Sequence, residues 1–458
     1  MPDLPIRFNP ARVSEYRKRI LPARPVRPED SAAGEIPAEE PTPRLAFWCL
    51  AAFMFFSYAQ LAAWLPLDAA LVAARIRLSF TPAVLSLVAL LIYKSSRRER
   101  LLLTGPQTRL MALLVGCAFL SVPFSIWRGH ALRFATSDVL KLFLLFVLIV
   151  NIVRNARGFR ALLWAVALSG CWIAVGTFLG NIWPEALGIS VGPSGRVGWT
   201  GYFENPNAAA TGLCMLVPVG LSLVELSASF TKKAVAAGLV CFYIIVMLMT
   251  LSRGAMVSLA CIVLVYVASS RKKIRNFAFV IVLGLAALLM NEAVLERAST
   301  IVAYREDASA MSRLDLWWAG FKVTTRNPVR LAVGVGGKCF GAAMMDYFAA
   351  GRRSLRGMAA HNSYVQVGTE LGVPGLVVFM ALVYVTLRDG WRLQKRFRYA
   401  DSPEARNMAK MARAIFLAVT AISVIGLAHH FAYDWPLYMF IALMLCLKQM
   451  AWRYGVHV

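Results

Sequence analysis

A histidine, a carboxamide and two hydroxyl groups stand together at His361-Asn362-Ser363-Tyr364, where a long polar and basic segment ends and an apolar run begins. The run continues through Glu370, Gly372, Pro374 and Gly375 to Leu387, so these side chains fall at the edge of a membrane. Histidine is the side chain that most readily takes or gives a proton near neutral pH. Arg352, Arg353 and Arg356 lie just upstream, and guanidinium groups suit phosphate oxygens. The combination points to chemistry on a phosphorylated substrate at a membrane surface. The plainer reading is an interfacial histidine at a helix end, beside arginines whose stems snorkel along lipid.

Further arginines are unusually placed. Residues 234–268 would be one apolar stretch but for Ser252-Arg253-Gly254. As one helix it would run about 50 Å at 1.5 Å per residue, too long for a single span. Two helices meeting near Arg253 at the outer face are therefore expected. Arginine deep in a bilayer costs about 2.5–3.5 kcal/mol, so Arg253 needs a partner or a ligand there, or else caps the turn and reaches headgroups. Another outer loop runs from Arg196 to Asn207. Asn205-Pro206 suits a turn and Asn207 suits the N-cap of the following span, which leaves Arg196 and Glu204 for substrate or for each other. Arg313 stands one helical turn before Trp317, placed either to stack on that indole or to bind phosphate.

Gly334-Val335-Gly336-Gly337-Lys338 lacks the spacing and the Ser/Thr of a phosphate loop and reads as a glycine-rich turn. Glu370 lies about half a turn out of phase with His361, so the two meet only if the helix breaks near Gly372-Val373-Pro374-Gly375. His429, His430 and Asp434 mark the last outer loop, and their distance from His361 is left open.

The elements that must hold these groups are membrane helices. The 458 residues are 59% hydrophobic and only 16% charged, with a mean hydropathy of +0.61, far too apolar for a soluble protein. The net charge is +25. In a soluble chain that would suggest nucleic acid, but here the basic residues sit in short loops with no basic stripe interleaved with aromatics. Most cysteines lie inside apolar runs and no CxxC pair occurs, so neither a disulfide framework nor a metal site is expected.

Spans of roughly 20 residues are predicted near 45–66, 76–93, 110–127, 138–153, 161–180, 207–225, 234–251, 255–270, 276–291, 367–387, 411–428 and 436–451. Residues 1–44 read as a disordered cytoplasmic tail without a cleavable signal, 45–291 as spans one to nine, 292–360 as a large outer segment with amphipathic helices, and 361–458 as the last three spans and a short tail. In the outer segment Met311 to Thr325 reads as an interfacial helix, with Leu314, Trp317, Trp318 and Phe321 on its apolar face. Alternate loops carry clusters such as Arg97-Arg98 and Arg271-Lys272-Lys273, which places both termini in the cytoplasm, with Arg75 and Arg77 arguing mildly against it.

Taken in order, Arg196-x-Gly198 with Asn205-Pro206-Asn207, Ser252-Arg253-Gly254-Ala255, Arg313 with Trp317, Gly334-x-Gly336, and His361-Asn362-Ser363-Tyr364 with Glu370-x-Gly372-x-x-Gly375 resemble the O-antigen ligase and polymerase superfamily of bacterial membrane glycosyltransferases. The resemblance spans roughly residues 45–450. It implies an all-α, GT-C-like fold of about twelve transmembrane helices in the inner membrane, with the site facing the periplasm. It implies an inverting transfer that needs no metal or cofactor, from an undecaprenyl-pyrophosphate-linked glycan to lipid A-core or to a lipid-linked repeat unit. On this chain Arg253 and Arg313 would hold the pyrophosphate and His361 would act at the acceptor hydroxyl. Arg196 would be a further donor contact. Asn205, Asn207, Ser252, Asn362, Arg352, Arg353, Arg356 and Glu370 would line the substrate site. The ligase is the first reading and the repeat-unit polymerase the second, with a variant that glycosylates a protein as a third. A flippase would spread charge through several helices. Its best evidence here is Asp138 and Lys141, which one turn apart can pair with each other. An assembly scaffold is the remaining alternative.

Overall fold

The computed structural model describes residues 41–59, 80–185, 197–198, 205–269, 308–348, 355–400 and 402–453. Every regular element among them is helical. Residues 1–40 of the N-terminal tail, the expected ninth span at 276–291, and residues 292–307 and 349–354 lie outside the described residues.

The helices are α1 Arg44–Ala59, α2 Phe80–Ser96, α3 Pro106–Ser121, α4 Arg128–Ile152, α5 Ala156–Ile182, α6 Pro206–Leu226, α7 Phe230–Met249 and α8 Arg253–Ser269. The segment expected on the outer side supplies α9 Ala308–Thr325, α10 Pro328–Val333 and α11 Phe340–Tyr347. The chain then re-enters with α12 Ser363–Phe397, α13 Pro403–Ile425 and α14 Trp435–Arg453. Among the described residues seven of these, α4 to α7 and α12 to α14, are long and apolar enough to cross a membrane, and α1, α2 and α8 are shorter apolar helices. The protein is a helical, multi-pass membrane protein.

Local chemistry sets the helix starts. Asn155 and Ser402 accept backbone N–H bonds from Gly158 and Ala405 and so cap α5 and α13, satisfying donors that a helix start leaves free. At α6 the cap is Asn205, whose side chain accepts from the N–H of Asn207. The expectation that Asn207 would be the cap is corrected: Pro206 takes the first helical position, which suits its fixed φ and missing N–H.

Packing then separates an inner helix from lipid-facing ones. On α14 the run Leu437 to Leu447 is wholly buried, with α3, α4, α12 and α13 packed around it. On α12, Val373, Val377, Met380, Tyr384 and Trp391 are exposed. They recur at helical spacing as an apolar stripe, the face that hydrocarbon would cover. Charge inside the bundle is paired. Asp389 of α12 is fully buried and accepts from Lys448 at 2.9 Å, Arg388 at 2.7 Å and Gln107 at 3.0 Å. Glu225 pairs with Arg413, and Glu99 with Lys94 and Arg154.

The outer segment carries a core of its own. Leu316, Ala319 and Val323 of α9 pack with Val335, Cys339, Phe340, Met344, Leu355 and Ala360. The apolar face of α9 named from the sequence points outward from this core: Leu314, Trp318 and Phe321 are exposed, and Trp317 is partly buried. The ring of Trp318 stacks on Phe321, with the Lys322 ammonium 4.7 Å from its centroid.

This small core is fastened to α12 at a break in that helix. Gly372 has φ +71 and ψ −176, and Pro374 has no N–H to offer the carbonyl of Glu370 four residues earlier. The glycine-rich turn answers both orphan carbonyls. Val335 N–H donates to Thr369 O at 2.9 Å and Gly336 N–H to Glu370 O at 3.0 Å. A side chain at Gly334 would collide with the Glu370 carbonyl. The Glu370 carboxylate, 1% exposed, accepts from the N–H of Phe340 at 3.3 Å at the start of α11. Next in the turn, Lys338 pairs with Asp138 at 3.0 Å. The local Asp138–Lys141 pair expected from sequence gives way to this long-range one, and Lys141 is exposed.

Candidate functional site

Asn362, Ser363 and Tyr364 are all engaged with other parts of the protein. The Asn362 side chain accepts from the N–H groups of Tyr364 and Val365, capping α12, and donates to Leu427 O at 3.1 Å. Ser363 N–H donates to Gly426 O at 2.7 Å, and its hydroxyl donates to His429 O at 2.9 Å while accepting from Phe431 N–H at 2.8 Å. Tyr364 donates to Ser423 O at 2.9 Å. Three consecutive residues thus stitch the start of α12 to the end of α13 and the loop between α13 and α14. His361 stands just outside the helix with φ +48, a backbone region uncommon for any residue but glycine. The phase argument that separated it from Glu370 therefore does not apply, because His361 is not on the helix.

The stitching carries two more histidines to it. The ring of His430 lies 5.3 Å from that of His361, and His429 lies 6.0 Å away, edge to face. On another side Gly254, the neighbour of Arg253, packs against Ala428. α8 begins at Arg253, after a tight turn in which Leu251 has φ +52. The two helices expected on either side of Arg253 are α7 and α8. On a third side Trp317 of α9 donates its indole N–H to Ala360 O at 2.9 Å, holding the residue before His361. Arg313, one turn earlier on α9, acts electrostatically on both His361 and His429. Elements far apart in sequence thus bring Arg313, His361, His429 and His430 together, with the start of α8 at Arg253 against the same loop.

The remaining candidates fall differently. Ser252 is buried beside Arg253. Asn205 and Asn207 are engaged in the start of α6, and Glu370 in the fastening described above. Arg356 is exposed. Arg196, Glu204, Arg352 and Arg353 lie outside the described residues. Sequence reasoning missed the role of Trp317 and the docking of the glycine turn. The missing N–H of Pro374 was the signal for the second.

The electrostatics favour neutral imidazoles. Burial, then the neighbouring His430 and Arg313, push the pKa of His361 down to about 4. Burial lowers His430 as well. Near neutral pH His361 therefore has a free lone pair and can accept a proton. An acid sensitivity follows. An unfolded histidine binds its proton near pH 6.5, and folded His361 only near pH 4. Between these values the unfolded chain holds more protons, so stability falls as pH is lowered through the window, with His429 and His430 acting in the same sense. Thermal unfolding in detergent should show a lower midpoint at pH 5 than at pH 7, and the difference should shrink in His361→Asn.

Fold and geometry together define a polytopic helical membrane protein with a candidate site of arginine and histidines where the segment between α8 and α12 meets the bundle. Residues 237–380 match the O-antigen ligase family, and this match supports the O-antigen ligase and polymerase superfamily that the motifs resemble. The matched stretch contains Arg253, Arg313, His361 and Glu370 but ends before His429 and His430. Comparison with curated proteins gives no match.

Proposed function

We propose that this protein transfers a glycan from undecaprenyl pyrophosphate to an acceptor hydroxyl, in the manner of an O-antigen ligase, at the periplasmic face of the inner membrane. The proposal includes a GT-C-like bundle of about twelve spans with both termini in the cytoplasm. One observation carries it: Arg313 and the histidines converge at one end of the bundle, with the start of α8 at Arg253 against the same loop. In this reading Arg253 and Arg313 bind the pyrophosphate. The acceptor oxygen attacks the anomeric carbon from the opposite face. The bond from that carbon to the pyrophosphate oxygen breaks, its electron pair stays on the pyrophosphate, and the acceptor proton passes to His361. The arginines stabilise the charge that grows on the leaving group. A pyrophosphate beside Arg313 also offsets the repulsion that weakens His361 as a base, so its basicity rises when donor is bound. Lipid A-core is the acceptor proposed first.

The test uses a deletion strain complemented with wild type, Arg253→Lys or Arg313→Lys at matched membrane levels. Surface lipopolysaccharide is run beside the lipid-linked pool. Loss of long surface glycan with accumulation of long undecaprenyl-linked chains is expected. Accumulation of single repeat units would replace the ligase by the polymerase, and full function in both variants would overturn the assignment of the arginines.

A further inference from the structure

His429 has a feature that its place beside His361 does not require. Its Nδ1 accepts the backbone N–H of His430 at 2.9 Å. A ring nitrogen that accepts carries its lone pair there, so in the neutral ring the proton must sit on Nε2. That Nε2 is buried and has no hydrogen-bond partner among the described residues. The residue as a whole is 6% exposed. A buried N–H without an acceptor is a cost that native structures seldom leave in place without a reason.

The donor is also held rigidly. The ring stacks with His430, 4.8 Å away, and with Phe431, 4.5 Å away. Ser363 pins the carbonyl of His429 and the N–H of Phe431. Burial, with His430, His361 and Arg313 nearby, pushes its pKa down to about 2, so it stays a neutral donor and does not compete with His361 for a proton. With Arg313 acting on the same ring, the oxygen best suited to this N–H is an anionic one.

We infer that His429 is a further substrate-binding residue, whose clamped Nε2–H donates to a phosphoryl oxygen of the bound donor. This rests on the proposed pyrophosphate site and adds a neutral contact between its arginines and its base. Hydrogen bonds from a rigid, buried donor to an anion are stronger than those between neutral groups.

The chain has only five histidines, so the full-length protein can be labelled with 15N-histidine in nanodiscs and titrated with inorganic pyrophosphate. The Nε2–H signal of His429 should move downfield as the site fills, while its Nδ1 remains at an unprotonated shift. His429→Phe keeps the stacked ring and removes the donor, and pyrophosphate should bind it about 10-fold more weakly. His429→Gln returns an N–H near the Nε2 position and should recover most of that affinity. Pyrophosphate binding with an unmoved His429 signal, a proton found on Nδ1, or equal affinity in the Phe variant overturns the inference alone. No pyrophosphate binding to wild type overturns the anion site itself, and the inference with it.

Discussion

His361→Asn is expected to lower glycan transfer by about 10²–10⁴-fold, the range that a positioned general base supplies, while the protein folds as well as wild type. Asparagine is chosen because it tolerates the left-handed backbone that His361 adopts at φ +48 better than most residues. The substitution removes the imidazole and leaves the cap at Asn362, the Ser363 bonds and the Trp317 bond to Ala360 in place. A backbone outlier at a ring-lined site is a place where strain accompanies function, so the thermal midpoint should hold or rise as activity is lost. The measurement is transfer from a purified lipid-linked donor, together with the midpoint in the same detergent. Unimpaired turnover would remove His361 from the proton transfer. Loss of both activity and folded protein would make its role structural.

Asp389→Leu is expected to destabilise the bundle by about 3–5 kcal/mol, because it leaves Lys448 buried without its counter-ion. The Lys448 side chain is 5% exposed and that of Asp389 0%, so neither water nor lipid headgroups can take over the pairing. The double variant Asp389→Leu with Lys448→Met removes both charges and should recover much of the loss, since a well-packed apolar pair replaces a buried ion pair at little cost. Thermal unfolding of the three variants beside wild type decides the matter. A single variant as stable as wild type would show that the pair is dispensable. Transfer per folded molecule should be unchanged throughout, because the cluster lies near the end of α12 remote from His361.

Much was legible in the chain because its signals are local. Apolar runs broken by basic loops specify membrane helices, and α4 to α7 and α12 to α14 answer to predicted spans. The interruption at Ser252-Arg253-Gly254 separates α7 from α8 as spacing required. The cap at α6 was misassigned by two residues, since Asn205 and Asn207 have the same chemistry and only the position of Pro206 distinguishes them.

Long-range pairing was not legible. The sequence by itself determined the class of protein and the residues with unusual chemistry, because hydropathy, charge and turn chemistry act over a few residues. Only the tertiary structure decided which of them meet. It brought His429 and His430 to His361 through Ser363, and Arg313 to the same site through the bond from Trp317 to Ala360. It gave Glu370 to the fastening of the outer segment, because the break at Gly372 and the missing N–H of Pro374 left carbonyls that only a distant turn could satisfy.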